Sequence, residues 1–229
     1  MDVSFLIDEL KLLSTADHLA KLAHFGINDS KALGVKVPLI RKLAKTIGID
    51  HKLALELWET EIHEARLLAS MIANAKEMTE IQFDSWVNDF DSWDMCDQTA
   101  DLLVQTPFVF SKIDEYSTRN EEFIKRTAFT LMCKLAFQGK KSEDKLFFHF
   151  FDIIEREAWD NRNFVRKSIN WALRQIGKRN EILRLMAIDT AERIYNQGSK
   201  SAKWIATDAL RELNDSKVIM RVNRFKLDN

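Results

Sequence analysis

Apolar residues recur at steps of three and four along most of the chain, which is the spacing of one face of an α-helix. Short polar or glycine-containing connections separate these stretches. They predict helices over about 1–25, 38–47, 52–58, 62–75, 79–87, 93–104, 108–116, 123–137, 144–159, 164–176, 182–195 and 202–213. Only helices are predicted, so the fold class is all-α.

The boundaries of these helices carry recognisable signals. Pro38 falls near the first turn of its helix, where a missing N–H costs little. Asp91-Ser92 supplies an N-cap before Trp93, and Gly177 is expected to stop its helix. A loop is predicted over 138–143.

Five predicted helix starts share a local pattern led by a charged residue. They are Arg66-Leu-Leu-Ala, Asp97-Gln-Thr-Ala, Arg126-Thr-Ala-Phe, Arg166-Lys-Ser-Ile and Lys203-Trp-Ile-Ala. The leads are separated by 31, 29, 40 and 37 residues, the spacing of stacked helix pairs. We therefore expect one α-solenoid domain over 1–229, built of antiparallel helix pairs with a concave basic face.

Composition and charge narrow the class further. The chain is 46% hydrophobic and 30% charged, with six Gly and two Pro, which disfavours β-rich folds. The chain has no long uncharged apolar run that would predict a membrane span, and the two isolated cysteines suit reduced thiols in a cytoplasmic protein. Residues 1–118 carry a net charge of −9 and residues 119–229 one of +8, so the second half is expected to meet an anion.

The cationic leads are candidates for binding DNA phosphates. An Arg near a helix N-terminus opposes the macrodipole, so its recurrence there suggests a partner. Arg66, Arg126, Arg166 and Lys203 would provide the contacts, supported by neighbouring cations such as Lys125 and Lys167. Salt bridges between neighbouring repeats are the alternative, and the sequence leaves both open.

The lead at Asp97 differs from the others. Trp93 lies four residues before it, on the same helix face. A carboxylate in a basic groove repels phosphate, so it would need a compensating role, such as stabilising a cationic sugar as a glycosidic bond breaks. Trp171, five residues after Arg166, could pack on a sugar or base. The alternative is that both tryptophans belong to the core.

Other chemistries lack their motifs. The five His residues form no ligand set, and His63-Glu-Ala-Arg66 lacks the second His of a zinc-protease helix, so no metal is expected. No phosphate-cradling glycine loop or nucleophile triad is visible, so no nucleotide or other cofactor is expected.

Several motifs, taken in order, resemble the AlkD-type DNA alkylation repair family of HEAT-like-repeat DNA glycosylases. They are Gly34-Val-Lys-Val-Pro-Leu-Ile-Arg-Lys-Leu-Ala-Lys45, His63-Glu-Ala-Arg66, Ser92-Trp-Asp-Met-Cys-Asp97, Phe164-Val-Arg-Lys-Ser-Ile-Asn-Trp-Ala-Leu-Arg174 and Ser199-Lys-Ser-Ala-Lys-Trp-Ile-Ala206. The resemblance implies excision of 7-methylguanine and 3-methyladenine from double-stranded DNA without a cofactor. A solenoid of this length is expected to be a monomer.

The resemblance also implies roles for individual residues. Trp93, Asp97 and Trp171 would surround the deoxyribose of the lesion, with Asp97 as the catalytic carboxylate. The family's backbone-binding Arg best matches Arg126, although Arg166 competes for that role. Asp94 departs from the family pattern by placing a second carboxylate in the run.

Three functions therefore stand. The first is a glycosylase for positively charged N-alkylated purines. The second is a non-catalytic relative that binds bent, branched or damaged DNA. The third is a protein-interaction scaffold whose cations form salt bridges between repeats.

Overall fold

A computed structural model describes residues 1–138 and 143–224, so residues 139–142 of the predicted loop lie outside the described residues. Within these ranges every regular element is helical, which confirms the all-α prediction. The α-helices are α1 Val3–Leu13, α2 Ala16–Leu22, α3 Val37–Ile47, α4 His51–Trp58, α5 His63–Ile72, α6 Glu80–Asn88, α7 Trp93–Leu103, α8 Val109–Ser117, α9 Glu122–Gln138, α10 Lys145–Glu157, α11 Asn163–Gly177, α12 Glu181–Asn196, α13 Lys200–Leu213 and α14 Ser216–Arg224. A 3₁₀ helix, Ala23–Phe25, follows α2.

The chain divides into two compact units, Met1–Val109 and Phe110–Asn229. In the first unit α4 packs on α5, and α5 contacts both α3 and α7. In the second unit α11 packs between α9 and α13, α12 lies against α13, and α10 contacts α12. Alternate helices therefore form a row within each unit, as helix-pair repeats require. The single domain over 1–229 stays a prediction.

Local capping explains several of the helix starts. Thr79 and Gln82 form a reciprocal capping box at the start of α6. Asp50 and Asn180 each accept the backbone N–H three residues on, at the starts of α4 and α12. Pro38 lies in the first turn of α3, as predicted.

One boundary prediction was wrong, and one was right for a different reason. The helix predicted over the first 25 residues breaks at Ser14, whose backbone is extended, and restarts after Thr15, whose hydroxyl accepts from the N–H of His18. α11 ends at Gly177, as predicted, but the glycine is its last helical residue and not a left-handed cap. A Cβ at Gly177 would lie 2.8 Å from Ala187 Cβ and from Leu213 Cδ2, so this glycine permits close helix packing.

The core consists of apolar side chains facing inward from each pair. Trp58, Phe83, Phe129 and Phe147 are among the largest fully buried side chains. Within the described residues, no helix has the length and apolarity that crossing a membrane requires.

Candidate nucleic-acid interface and catalytic carboxylate

The five lead residues occupy equivalent helical positions. Each is the fourth or fifth residue of its helix, and the helices are α5, α7, α9, α11 and α13. These are the alternate helices that pack in rows within the two units. The sequence pattern therefore identified a true structural repeat, one lead per helix pair.

Trp93 and Asp97 lie in the first two turns of α7, which starts at Trp93. Both side chains are half-buried, so Trp93 is not a core residue. The indole Nε1 donates to the backbone oxygen of Phe25 at 2.9 Å, which fixes the ring against the 3₁₀ helix. One turn of helix separates the indole from the carboxylate, as the spacing predicts.

Asp94 lies in a nearly buried hydrogen-bond network. Its carboxylate lies 2.9 Å from His63 Nε2 and accepts the Ser92 hydroxyl at 2.8 Å and the Met95 N–H at 3.0 Å. Ser92 thus binds the Asp94 side chain instead of capping the helix with its own oxygen. Asp94 is only 14% exposed and His63 only 6%.

Proton affinity in this pair follows from its geometry. Burial alone would raise the pKa of Asp94, but the hydrogen bond and charge of His63, with Ser92 and the Met95 N–H, lower it below its ordinary value. Burial alone would lower the pKa of His63, yet the hydrogen bond and charge of Asp94 outweigh it and raise that pKa. Both groups therefore favour their charged forms.

The connection between the 3₁₀ helix and α3 is held by a buried carboxylate. Glu64 is 1% exposed and accepts the backbone N–H groups of Leu33, Gly34 and Val35 at 2.8, 2.6 and 3.0 Å. Gly34 has φ +86, and a Cβ there would lie 2.7 Å from Leu19 Cβ. Both features confine this turn to glycine and position the segment that follows Phe25.

The role of His63 was missed at the sequence level, where it was weighed only as a metal ligand. His63 and Asp94 are 31 residues apart, the length of one repeat, and each stands in the first two residues of an alternate helix. That matching spacing is the signal that could have paired them. Among the described residues, no group of three His, Cys, Asp or Glu side chains could hold a metal ion.

Trp171 lies on α11 in the second unit. It is half-buried, and its ring centroid lies 6.1 Å from that of Phe137, which is 58% exposed. The indole is thus accessible at the surface of its unit. Its predicted cooperation with Trp93 and Asp97 stays a prediction.

Two predicted phosphate ligands of the second unit are buried, so their role in binding DNA stays a prediction. Arg126 is 6% exposed and donates from Nη1 to the Phe164 backbone oxygen at 2.8 Å, joining α9 to α11. Lys125 is 4% exposed, and its Nζ lies 2.6 Å from Glu157 and 3.5 Å from Asp160. Both cations stabilise helix packing inside the unit, because a buried charge requires close partners.

Arg66 is also engaged within its own unit. Its Nη2 lies 3.1 Å from Asp89 Oδ2, its Nε donates to the Trp58 backbone oxygen at 3.2 Å, and its guanidinium lies over the Trp58 ring. Its side chain is 14% exposed. At this position the cation forms an internal salt bridge, which was the alternative to phosphate binding.

The remaining three predicted phosphate ligands are available at the surface. Lys167 and Lys203 are exposed, and Arg166 is half-exposed. Among the described residues none of the three forms an ion pair with a carboxylate. Arg166 makes a long 3.5 Å hydrogen bond from Nη2 to Asn163 Oδ1. Trp204, which follows Lys203, is 38% exposed and was not singled out in the sequence.

The rows of alternate helices, each with its charged lead, define an all-α protein of helix-pair repeats. A family model described as "DNA alkylation repair enzyme" matches residues 6–213, and the chain belongs to this family. A solved structure has the same HEAT-like fold with a TM-score of 0.77 and 18% identity, covering 92% of this chain and 95% of its own. It is described as belonging to "a new family of proteins related to the HEAT-like repeat DNA glycosylases with affinity for branched DNA structures". No curated protein matches the chain significantly.

Proposed function

We propose that this protein is a DNA glycosylase that excises positively charged N-alkylated purines, such as 7-methylguanine and 3-methyladenine, from duplex DNA. The observation that carries the proposal is the pair at the start of α7. A half-buried indole is fixed by the hydrogen bond to Phe25, and the Asp97 carboxylate follows one turn later. Membership in a DNA alkylation repair family supports it.

The proposed chemistry uses charge rather than a covalent intermediate. Alkylation at a ring nitrogen makes the base cationic and hence a good leaving group, and its departure leaves an oxocarbenium-like deoxyribose. Asp97 would stabilise that positive charge and position the attacking water. The face of the Trp93 indole would favour the cationic sugar as well. An electrostatic contact of this kind commonly lowers a barrier by about 3 kcal/mol.

Asp94 does not share this role in the proposal. Its charge is directed to His63 and Ser92, so it maintains the start of α7 rather than facing a substrate. The extra carboxylate of this run is therefore compatible with catalysis by Asp97.

Arg166, Lys167 and Lys203 supply the DNA contacts in this proposal. Between the two candidates for the backbone-binding Arg we favour Arg166, because it is half-exposed and lacks a carboxylate partner among the described residues. Arg126 is buried against the Phe164 backbone, so a phosphate could reach it only after rearrangement.

Single-turnover release of 7-methylguanine from methylated duplex tests the proposal. We expect release by the wild type and a loss of roughly a hundredfold or more in Asp97→Asn, with DNA binding retained. Asp94→Asn is the matched control: it should lower the midpoint of thermal unfolding while keeping most of the rate per folded molecule. Comparable losses of rate in both variants would contradict a catalytic role specific to Asp97.

A non-catalytic DNA-binding protein is the second candidate function. It is favoured by the description of the structural neighbour, which has affinity for branched DNA. No release by the wild type, with salt-sensitive binding intact, would select it. Absence of duplex binding at about 50 mM salt would leave the scaffold function instead.

A further inference from the structure

Three cations of the alternate helices lie over tryptophan rings. Arg66 lies 5.2 Å from the centroid of Trp58. Lys125 lies 5.1 Å from that of Trp159, and Arg166 lies 5.0 Å from that of Trp204. All three cations occupy the first two turns of α5, α9 or α11. The same cation–tryptophan arrangement thus recurs on three helices.

The three pairs differ in the partners of the cation. Arg66 is ion-paired with Asp89, and Lys125 with Glu157 and Asp160. Among the residues that the structure describes, Arg166 has no carboxylate partner, and its Nε is buried without a hydrogen-bond acceptor. A buried guanidinium N–H without an acceptor costs free energy unless a ligand provides one.

The pairs also differ in the exposure of the ring. Trp58 is 1% exposed and stacks on Trp86 at 4.0 Å with an interplanar angle of 4°, so its role is in the core. Trp159 is exposed, but the cation beneath it is ion-paired. Trp204 combines an exposed ring, 38%, with a cation that lacks a carboxylate.

The surroundings of Trp204 are basic. Lys200 and Lys203 precede it on α13, and both are exposed without an ion pair in the described structure. Asp208 lies one turn further along, but its carboxylate accepts from Asn170 and Arg211. Anionic groups are therefore attracted to this end of α13 with little opposition from nearby carboxylates.

We propose that Trp204, backed by Arg166, is a stacking site for an unpaired nucleobase of DNA. The indole face would take the base, while Arg166 and Lys203 bind the phosphates beside it. In a continuous duplex both faces of each base are already stacked, so the site selects DNA with an unpaired segment, as at a branch or gap. This deepens the proposed DNA-binding function and rests on it, but it does not require glycosylase activity.

Equilibrium affinity for two DNAs tests the site. One probe is a fully paired duplex, and the other is the same duplex with a single-stranded flap. We expect the wild type to prefer the flap, and Trp204→Leu to lose about tenfold in affinity for the flap and less than about twofold for the duplex. Trp204→Phe should retain most of the preference, because it keeps an aromatic face.

Trp159→Leu is the matched control, since it removes an exposed tryptophan over an ion-paired cation in the same unit. It should leave the ratio of the two affinities unchanged. Trp204→Met fills similar space without a ring and replaces the Leu variant if that variant unfolds. Equal losses on both DNAs, or the same effect from Trp159→Leu, would overturn the site. A wild type that binds neither DNA would instead refute the proposed function together with the site.

Discussion

The predicted DNA-binding cations have one observed use, in helix packing, and a second use, in phosphate binding, that belongs to the proposed function. Among the six cations predicted to bind DNA, Arg66, Lys125 and Arg126 are held within their units by carboxylates, aromatic rings or backbone oxygens. Arg166, Lys167 and Lys203 are accessible without a carboxylate partner among the described residues. The two uses are indistinguishable in the sequence, because a partner's position depends on how helices pack, not on local spacing.

The pair His63–Asp94 should make stability depend on pH. The pKa of His63 is raised in the folded state, so its contribution is complete below the ordinary value of 6.5 and is lost as pH rises through the folded pKa. The pKa of Asp94 is lowered, so its contribution is complete above 3.8 and is lost as pH falls through the folded pKa. The free energy of unfolding from urea titrations at pH 5 to 8.5 should therefore decline above about 6.5.

His63→Gln should remove that decline, because glutamine keeps a hydrogen bond to Asp94 but does not titrate. His149→Gln is the control, since His149 bonds Asp114 on an exposed surface, where a comparable ion pair contributes little. A decline that persists unchanged in His63→Gln would assign the pH dependence to other groups.

Some of the candidate site was predictable at this scale. The proximity of Trp93 and Asp97 follows from four-residue spacing on a helix, which any helical sequence guarantees. The bond from Trp93 to Phe25 and the pair His63–Asp94 join residues 68 and 31 positions apart. Such contacts depend on the register between helices, which spacing along the chain does not determine.

At the scale of elements, hydrophobic periodicity located most helices. It did not predict helix boundaries that depend on packing between helices. Ser14 separates two helices whose apolar positions look continuous. The helix α14 was not predicted. Gly177 was recognised as special but for the wrong reason, because glycine serves equally to end a helix and to let two helices approach.

Replacing Gly177 by Ala should destabilise the second unit. Alanine would gain about 1 kcal/mol of helix propensity, but its Cβ would be forced against Ala187 and Leu213 at 2.8 Å. Overpacking of this kind costs about 1–3 kcal/mol, so we expect a net loss in urea unfolding. In a Leu213→Ala background the loss should be smaller. A stabilised single variant would show that the neighbours move aside freely.

At the scale of the whole molecule, the two structural units differ in the sign of their net charge. The unit 1–109 holds 10 Lys and Arg against 18 Asp and Glu, whereas 110–229 holds 24 against 17. The accessible lead cations Arg166 and Lys203 belong to the basic unit, and Asp97 belongs to the acidic one. In the proposed function, phosphate binding is thus assigned to one unit and the catalytic carboxylate to the other.

The salt dependence of DNA affinity should report how many phosphates the basic unit contacts. Duplex affinity should fall steeply between about 50 and 200 mM salt, and Lys203→Ala should reduce the slope of log affinity against log salt by about 1. Lys145→Ala is the control, because this exposed lysine is ion-paired with Glu143. Its slope should match that of the wild type. Equal reductions in both variants would mean that the slope reports net charge alone.

Glu64 has a consequence for how the repeats can be separated. The turn at Leu33, Gly34 and Val35 has no regular secondary structure, and its three backbone N–H groups donate to a side chain about thirty residues further along. The native shape of the segment before α3 therefore depends on α5. A repeat boundary placed between this turn and α5 would separate two segments that are joined by these hydrogen bonds. A shortened protein or a transplanted repeat must keep the turn and α5 together to fold as a cooperative unit.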